Sequence, residues 1–341
     1  MTQADAFPVE GTQRREFISQ AVQLGLAAWA LGIPVAHAII EPPVISGADA
    51  AAPQFFPGFR SIRVDTPEVQ INGVIGGSGP PLLLLHGSPQ THITWRKVAP
   101  ELAKHFTVVA TDLRGYGDSG RPSDGRNHEG YSKRAMANDQ VAVMRKLGFD
   151  EFAVVGHDRG GRVGHRMALD HPQSVTELAV LDIVPSYKVF TTVTREVATR
   201  YYYQFLLIQP SPIPETLIGN SAEFWLRTRM RDAIPDFVDD AAFAEYFRCF
   251  RTPENIHANC EDYRAYASID LEHDQAELDK KVECPLLALW GSRGRLEPMY
   301  DVLSCWRERA TNVRGKRIEA THWLPEEVPN EICVELNGFL Q

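Results

Sequence analysis

The sequence has no run of lysine and arginine, and its 44 acidic residues outnumber the 35 basic ones, for a net charge of −9. A nucleic-acid partner is therefore not expected, and an anionic substrate would need arginines placed locally against an acidic surface. Cysteine is scarce. Cys249, Cys260, Cys284, Cys305 and Cys333 lack metal-ligand spacing and are odd in number, so they read as mostly buried thiols, with no zinc site and no cofactor expected. No internal repeat or low-complexity tract stands out. The apolar stretch Leu24–Val35 is too short, and too rich in Ala and Gly, for a membrane span.

That stretch fits the apolar part of an export signal instead. Arg14 and Arg15 precede Glu16-Phe17-Ile18, and Ala36-His37-Ala38 gives a small-x-small cleavage pattern. Residues 1–38 are read as a twin-arginine signal directing a folded protein to a bacterial periplasm, the alternative being an amphipathic N-terminal helix. Residues 39–59, with Pro42, Pro43, Pro53 and Pro57, read as a surface linker.

From residue 60 the pattern alternates. Arg60–Asp65 and Val69–Ile75 read as short strands. The apolar runs Pro81–Leu85, Phe106–Thr111, Phe152–Val155, Leu178–Leu181 and Leu286–Trp290, with Arg317–Ala320, read as strands buried on both faces of a mostly parallel sheet. Helical stretches at Trp95–His105 and Tyr131–Leu147 separate them, implying a doubly wound α/β domain. Residues 186–280 break the rhythm. They carry no strand signal but dense aromatics, including Tyr201, Tyr202, Tyr203, Tyr263 and Tyr266, and read as an all-helical lid between core segments 60–185 and 281–341.

The segment Phe152–Gly161 holds Gly156-His157-Asp158-Arg159-Gly160 between a strand and a helix beginning near Gly161. This is the nucleophile elbow of the α/β-hydrolase fold, Gly-x-Ser-x-Gly, with Asp in place of Ser. The substitution dictates the chemistry. A serine that displaced a group from saturated carbon would form an ether that water cannot readily cleave. A carboxylate forms an ester, which activated water opens at the carboxylate's own carbon. Asp158 is thus read as the nucleophile. Ser88, in Leu85-His86-Gly87-Ser88-Pro89, and Arg159 are the expected backbone oxyanion donors, with His86 a structural histidine holding that loop.

His322, after the last strand, is the expected base. Asp182, at the end of Leu178–Leu181, is preferred over Glu297 as its carboxylate partner. Arg159 and Arg162, three apart on the helix after the elbow, are read as a clamp for a substrate carboxylate.

These motifs resemble a known family. His86-Gly87-x-Pro89-Gln90-Thr91-His92, Gly156-His157-Asp158-Arg159-Gly160-x-Arg162, Cys260-Glu261-Asp262-Tyr263-Arg264 and Glu272-His273-Asp274 are similar to the fluoroacetate (haloacetate) dehalogenases, close to the epoxide hydrolases. The resemblance runs from about residue 60 to the end. It implies Asp158 as nucleophile, His322 as base, Asp182 as its partner, Arg159 and Arg162 on the substrate carboxylate and Tyr263 donating to a departing halide. It departs at Ser88, where that family usually has an aromatic, and at Tyr203-Gln204, where its leaving-group pocket usually has His-Trp. The expected activity is hydrolytic dehalogenation of short 2-halo acids. The alternatives are hydrolysis of an acid-bearing epoxide, with Tyr263 and Tyr203 as proton donors, or a non-catalytic receptor. A small acidic molecule is the expected partner, without a membrane, and a homodimer is compatible with the reading.

Overall fold

The computed structural model describes residues 54–234 and 236–340, so the segment 1–38 expected to be an export signal and residues 39–53 of the expected linker lie outside the described residues. The end of that linker is not a loose surface strap. Phe56 is fully buried and stacks on His92 at 5.5 Å.

Eight strands form one sheet in the order β1-β2-β4-β3-β5-β6-β7-β8. They are β1 (Arg60–Asp65), β2 (Gln70–Gly77), β3 (Pro81–Leu85), β4 (Thr107–Thr111), β5 (Phe152–His157), β6 (Val175–Leu181), β7 (Leu286–Gly291) and β8 (Val313–Ile318). β2 is antiparallel to both β1 and β4, and β3 to β8 run parallel. The central strands are the apolar runs of the sequence, every residue of β5 and β7 being buried. β8 starts four residues before the expected Arg317, because Val313–Lys316 alternates exposed and half-buried positions at the sheet edge and has no continuous apolar run to betray it. The helix expected at Trp95–His105 is a 3₁₀ turn, His92–Trp95, followed by the short α1 (Ala99–Leu102) with Pro100 in its first turn.

Two core helices flank the elbow region: α2 (Lys133–Lys146), capped by Ser132, whose hydroxyl accepts from Ala135 N–H, and α3 (Arg159–Asp170). Between β6 and β7 the described residues form eight helices, α4 (Ser186–Thr191) through α11 (Ile269–Ala276), and no strand. This is the α/β-hydrolase fold with an inserted helical cap. No helix among the described residues is long and apolar enough to cross a membrane.

The register sets the site. Leu85 pairs with Gly156, His157 with Leu181, Leu181 with Leu289 and Gly291 with Ile318. The C-terminal ends of β3, β5, β6, β7 and β8 therefore lie along one edge. The residues just beyond those ends, Ser88, Asp158, Asp182 and His322, are delivered together from four separate parts of the sequence.

Candidate active site

Asp158 occupies the turn between β5 and α3 at φ 48°, ψ −116°, a conformation that side-chain-bearing residues adopt at a cost. The glycines around it are needed for close approach. A Cβ on Gly156 would lie 2.4 Å from the Gly160 carbonyl oxygen, and one on Gly160 would lie 2.3 Å from that of Leu85. Asp182 shares the left-handed conformation, at φ 53°. The two carboxylates thus sit on strained strand ends, held by the packed strands beneath.

Asp158 Oδ1 accepts the Ser88 backbone N–H at 3.1 Å, and Oδ2 lies 3.8 Å from His322 Nε2. Arg159 is the first residue of α3, where a backbone N–H has no intrahelical acceptor. His322 Nδ1 meets Asp182 Oδ2 at 2.5 Å, and Asp182 Oδ1 accepts from Gly291 N–H at 2.9 Å. A carboxylate only accepts, so Nδ1 carries the proton and the Nε2 lone pair faces Asp158. Glu297, the other acid weighed for this role, pairs instead with Arg317 at 3.5 Å.

Two further histidines steady the loops. His86 is fully buried, its Nδ1 donating to Gly87 O at 2.8 Å and its Nε2 accepting from Leu113 N–H at 3.0 Å, and burial pulls its pKa down. That ties the Ser88 loop to the residues after β4. His157 Nε2 donates to the His322 carbonyl at 2.8 Å. Burial and the nearby His322 hold His157 down to about 4, so it is neutral at ordinary pH. Burial pushes the Asp158 carboxyl up, but His322, His157, Arg159 and Arg162 pull it further down, to about 2. The Asp158 carboxylate is therefore ionised throughout the neutral pH range.

The cap closes on the elbow through α10 (Pro253–Ala267), whose start is fixed by Thr252, which caps Asn255 N–H, and by Pro253 at the first position. Asn259, Asp262, Tyr263 and Tyr266 are spaced i, i+3, i+4, i+7, which puts them on one helical face. That face meets Ser88, Arg159 and Arg162. Asn259 Nδ2 donates to Ser88 Oγ at 2.9 Å. Arg159 grips Asp262 through Nε at 2.8 Å and Nη2 at 2.6 Å, with its Cζ 4.3 Å from the Tyr263 ring centroid and 4.5 Å from that of Tyr266. Asp262 also takes Lys133 Nζ and the Tyr116 hydroxyl. Although burial pushes its carboxyl up, Arg159 and Lys133 hold it well below the usual range.

The two arginines expected to act as a pair therefore differ. The fork of Arg159 is engaged by Asp262, and only its Nη1 is left for another partner. Arg162 makes hydrogen bonds to Val184 O at 3.0 Å and Ser186 Oγ at 3.2 Å and stacks on Tyr266 at 4.6 Å. Among the described residues it has no carboxylate partner.

Tyr203 and Gln204 lie on α6 (Tyr202–Leu207), both buried. The Tyr203 ring stands edge-on to Tyr263, centroids 6.2 Å apart. Arg229 Cζ lies 3.2 Å from its ring centroid and Arg295 Cζ 5.5 Å from it. Burial and Tyr203, then Asp158, push the Tyr263 phenol well above its ordinary value, so it keeps its proton. Gln204 makes no side-chain hydrogen bond among the described residues. Asp262, Tyr266, Asn259, Arg229 and Arg295 escaped the reading of the sequence as site residues. The polar and aromatic stripe on α10 was a visible signal, whereas the arginines offered none.

Two groups of side chains among the described residues could approach a metal: Asp118, Glu245 and Cys249, and Asp124, His257 and Glu261. Neither includes a residue around Asp158. Arg248 already bridges Asp118 and Glu245, and His257 already bridges Asp124 and Glu215. The free cysteines are Cys249, Cys260, Cys305 and Cys333, all buried, and the half-buried Cys284.

Comparison with known proteins places this geometry in context. The family profile described as alpha/beta hydrolase fold matches residues 80–327. A fluoroacetate dehalogenase of Burkholderia sp is 45% identical over 84% of this chain and 95% of its own. A soluble epoxide hydrolase of Corynebacterium sp. (strain C12) is 35% identical over 79% and 94%. The crystal structure of an α/β hydrolase from Nostoc sp PCC 7120 superposes with a TM-score of 0.81 at 55% identity, covering 83% of this chain and 98% of that one.

Proposed function

The chain belongs to the α/β-hydrolase superfamily shared by fluoroacetate dehalogenases and epoxide hydrolases, and within it we propose that this enzyme opens small epoxides bearing a carboxylate through an ester on Asp158. The observation that carries the reading is that Tyr203, which with Gln204 replaces the His-Trp of the dehalogenase resemblance, stands edge-on to Tyr263 in the cap.

Arg162 and the free Nη1 of Arg159 hold the substrate carboxylate. With Oδ1 of Asp158 already on the Ser88 N–H, Oδ2 attacks an epoxide carbon. The carbon–oxygen bond breaks, and the departing oxygen takes a proton from a tyrosine hydroxyl. The donor is one of the edge-on pair Tyr203 and Tyr263. His322 Nε2 then takes a proton from water, the hydroxide attacks the Asp158 ester carbon, and the oxyanion forms on Oδ1 between the Ser88 and Arg159 N–H groups. Collapse releases the diol and restores the carboxylate, and the imidazolium proton returns to the tyrosine.

A second reading, displacement of halide from 2-halo acids, is favoured by the 45% identity to a fluoroacetate dehalogenase and uses the same nucleophile, base and Arg162. A panel of glycidate, chloroacetate, bromoacetate and fluoroacetate, with diol and halide both measured, decides between them. Diol formation supports the epoxide reading, and halide release without diol replaces it by the second. Neither product would overturn the aspartyl-ester proposal. We also propose that residues 1–38 direct export to the periplasm.

A further inference from the structure

Arg229, the last residue of α8 (Ala222–Arg229) in the cap, and Arg295, in the core loop after β7, converge on Tyr203 from opposite sides of the cap–core seam. Arg229 is only 7% exposed. Five other arginines buried to this degree, Arg96, Arg114, Arg159, Arg166 and Arg264, each hold a carboxylate. Arg309 has two backbone carbonyls. Among the described residues Arg229 has neither, and Arg295 forms no salt bridge. Asp232, the acid Arg295 feels, lies 3.5 Å from the exposed Arg231.

A buried guanidinium without an anion is costly to keep unless something supplies one. Stacking on Tyr203 uses the flat face of Arg229 and leaves its N–H edge for a planar acceptor. The pair also ends a chain of stacked cations and rings: Arg162, Tyr266, Arg159, Tyr263, Tyr203, then Arg229 and Arg295. Arg162, free of a carboxylate, stands at one end, and a second uncompensated cationic pair stands at the other.

We propose that Arg229 and Arg295 form a second anion subsite that takes the distal carboxylate of a short dicarboxylic acid whose first carboxylate is held at Arg162. The inference rests on the proposed role of Arg162 and narrows the substrate class to dicarboxylates. Because the anion would touch one arginine from the cap and one from the core, its binding would also hold the two together across the seam.

The test is calorimetric binding of unreactive acids to the full protein: malonate, succinate, glutarate and adipate, each against the monocarboxylate of equal carbon number. At least one dicarboxylate should bind about 10- to 100-fold more tightly than its monocarboxylate. Arg229→Gln and Arg295→Gln should each erase most of that gain while leaving monocarboxylate affinity unchanged. Arg295 is the half-buried member, so Arg295→Gln keeps the test readable if Arg229→Gln melts early. No dicarboxylate gain, or a gain that survives both substitutions, would overturn the subsite. In a parallel bromide titration, binding that Arg229→Gln and Arg295→Gln abolish, with no dicarboxylate gain, would make the pair a leaving-group pocket and overturn the proposal as well. Binding needs no turnover. Dicarboxylate affinity without diol or halide formation would therefore sink the proposed reaction alone, whereas turnover of glycidate or a haloacetate without the gain would sink the subsite alone.

Discussion

Arg159 and Arg162 are one helical turn apart and equally cationic, yet replacing each by Ala should damage different properties. Arg159→Ala leaves Asp262, fully buried, with Lys133 as its remaining cation and Tyr116 as a hydroxyl donor. Removing one partner of a buried ion pair costs ~3–5 kcal/mol, and the retained Lys133 places this case at the lower end, near ~3 kcal/mol. At roughly 2–4 °C per kcal/mol for a domain of this general size, Tm should fall by about 6–12 °C. Arg162→Ala instead removes a cation whose partners are a backbone carbonyl and a serine hydroxyl. Losing those bonds and relieving the desolvation of an unpaired charge roughly offset, so Tm should move by less than half as much. Catalysis should invert the order of damage. Without Arg162 a desolvated substrate carboxylate lacks its charge-assisted partner, a loss of ~2–5 kcal/mol, or roughly 30- to several-thousand-fold in kcat/KM. A neutral epoxide should be turned over nearly as before. Thermal melts, with kcat/KM on glycidate and on its neutral amide, read both effects. If Arg162→Ala melts as early as Arg159→Ala, or loses acidic and neutral substrates equally, Arg162 is a structural cation and the division between them is wrong.

His322→Asn should form the Asp158 ester but not hydrolyse it, so intact mass followed by peptide mapping after incubation with glycidate or bromoacetate should find a stable adduct on Asp158. An adduct on any other residue refutes the mechanism. The pH dependence of the first step is set by the carboxyl held at about 2. A group depressed from its ordinary value is ionised at every pH above that range, so single-turnover ester formation should be flat from about pH 5 to 8. A rate that falls on acidification with a midpoint near 4 would mean the surrounding cations do not act on Asp158 as described. Replacing Arg14 and Arg15 by Lys should retain the protein in the cytoplasm of a bacterium with a twin-arginine system, and unchanged periplasmic activity in fractionated cells would refute the export reading.

The legible part of the sequence was local pattern. Continuous apolar runs marked the central strands because a parallel strand covered on both faces has no other composition open to it. The glycines around Asp158 marked the elbow because the backbone approaches itself within van der Waals distance there. β8 was half missed because an edge strand alternates. The pairing of Arg159 with Asp262 was hidden for another reason. Its partners are 103 residues apart, and no periodicity records that a cap helix will lay one carboxylate into one particular guanidinium. Arg229 and Arg295 were invisible on the same ground, each ordinary in its own segment and unusual only where α8 and the β7 loop converge.

The origin of each group in the fold also separates mechanism from selectivity. Asp158, Asp182, His322 and the Ser88 N–H project from the ends of adjacent strands, and the register of β3 to β8 fixes their relative positions whatever covers them. Tyr203, Gln204, Arg229 and Tyr263 arrive on cap helices held to that edge chiefly by α10. On the proposed mechanism, a substitution on α6 or α8 changes what leaves, or how many carboxylates are recognised, without disturbing attack by Asp158 or hydrolysis of its ester. Epoxide opening and halide displacement need the same lower layer and differ only in the donors above it. Relatives named for epoxides and for fluoroacetate can therefore both resemble this chain over most of its length, and the proposed reading puts the discriminating information in the tyrosine pair of the cap and the two arginines, one from the cap and one from the core, that flank it.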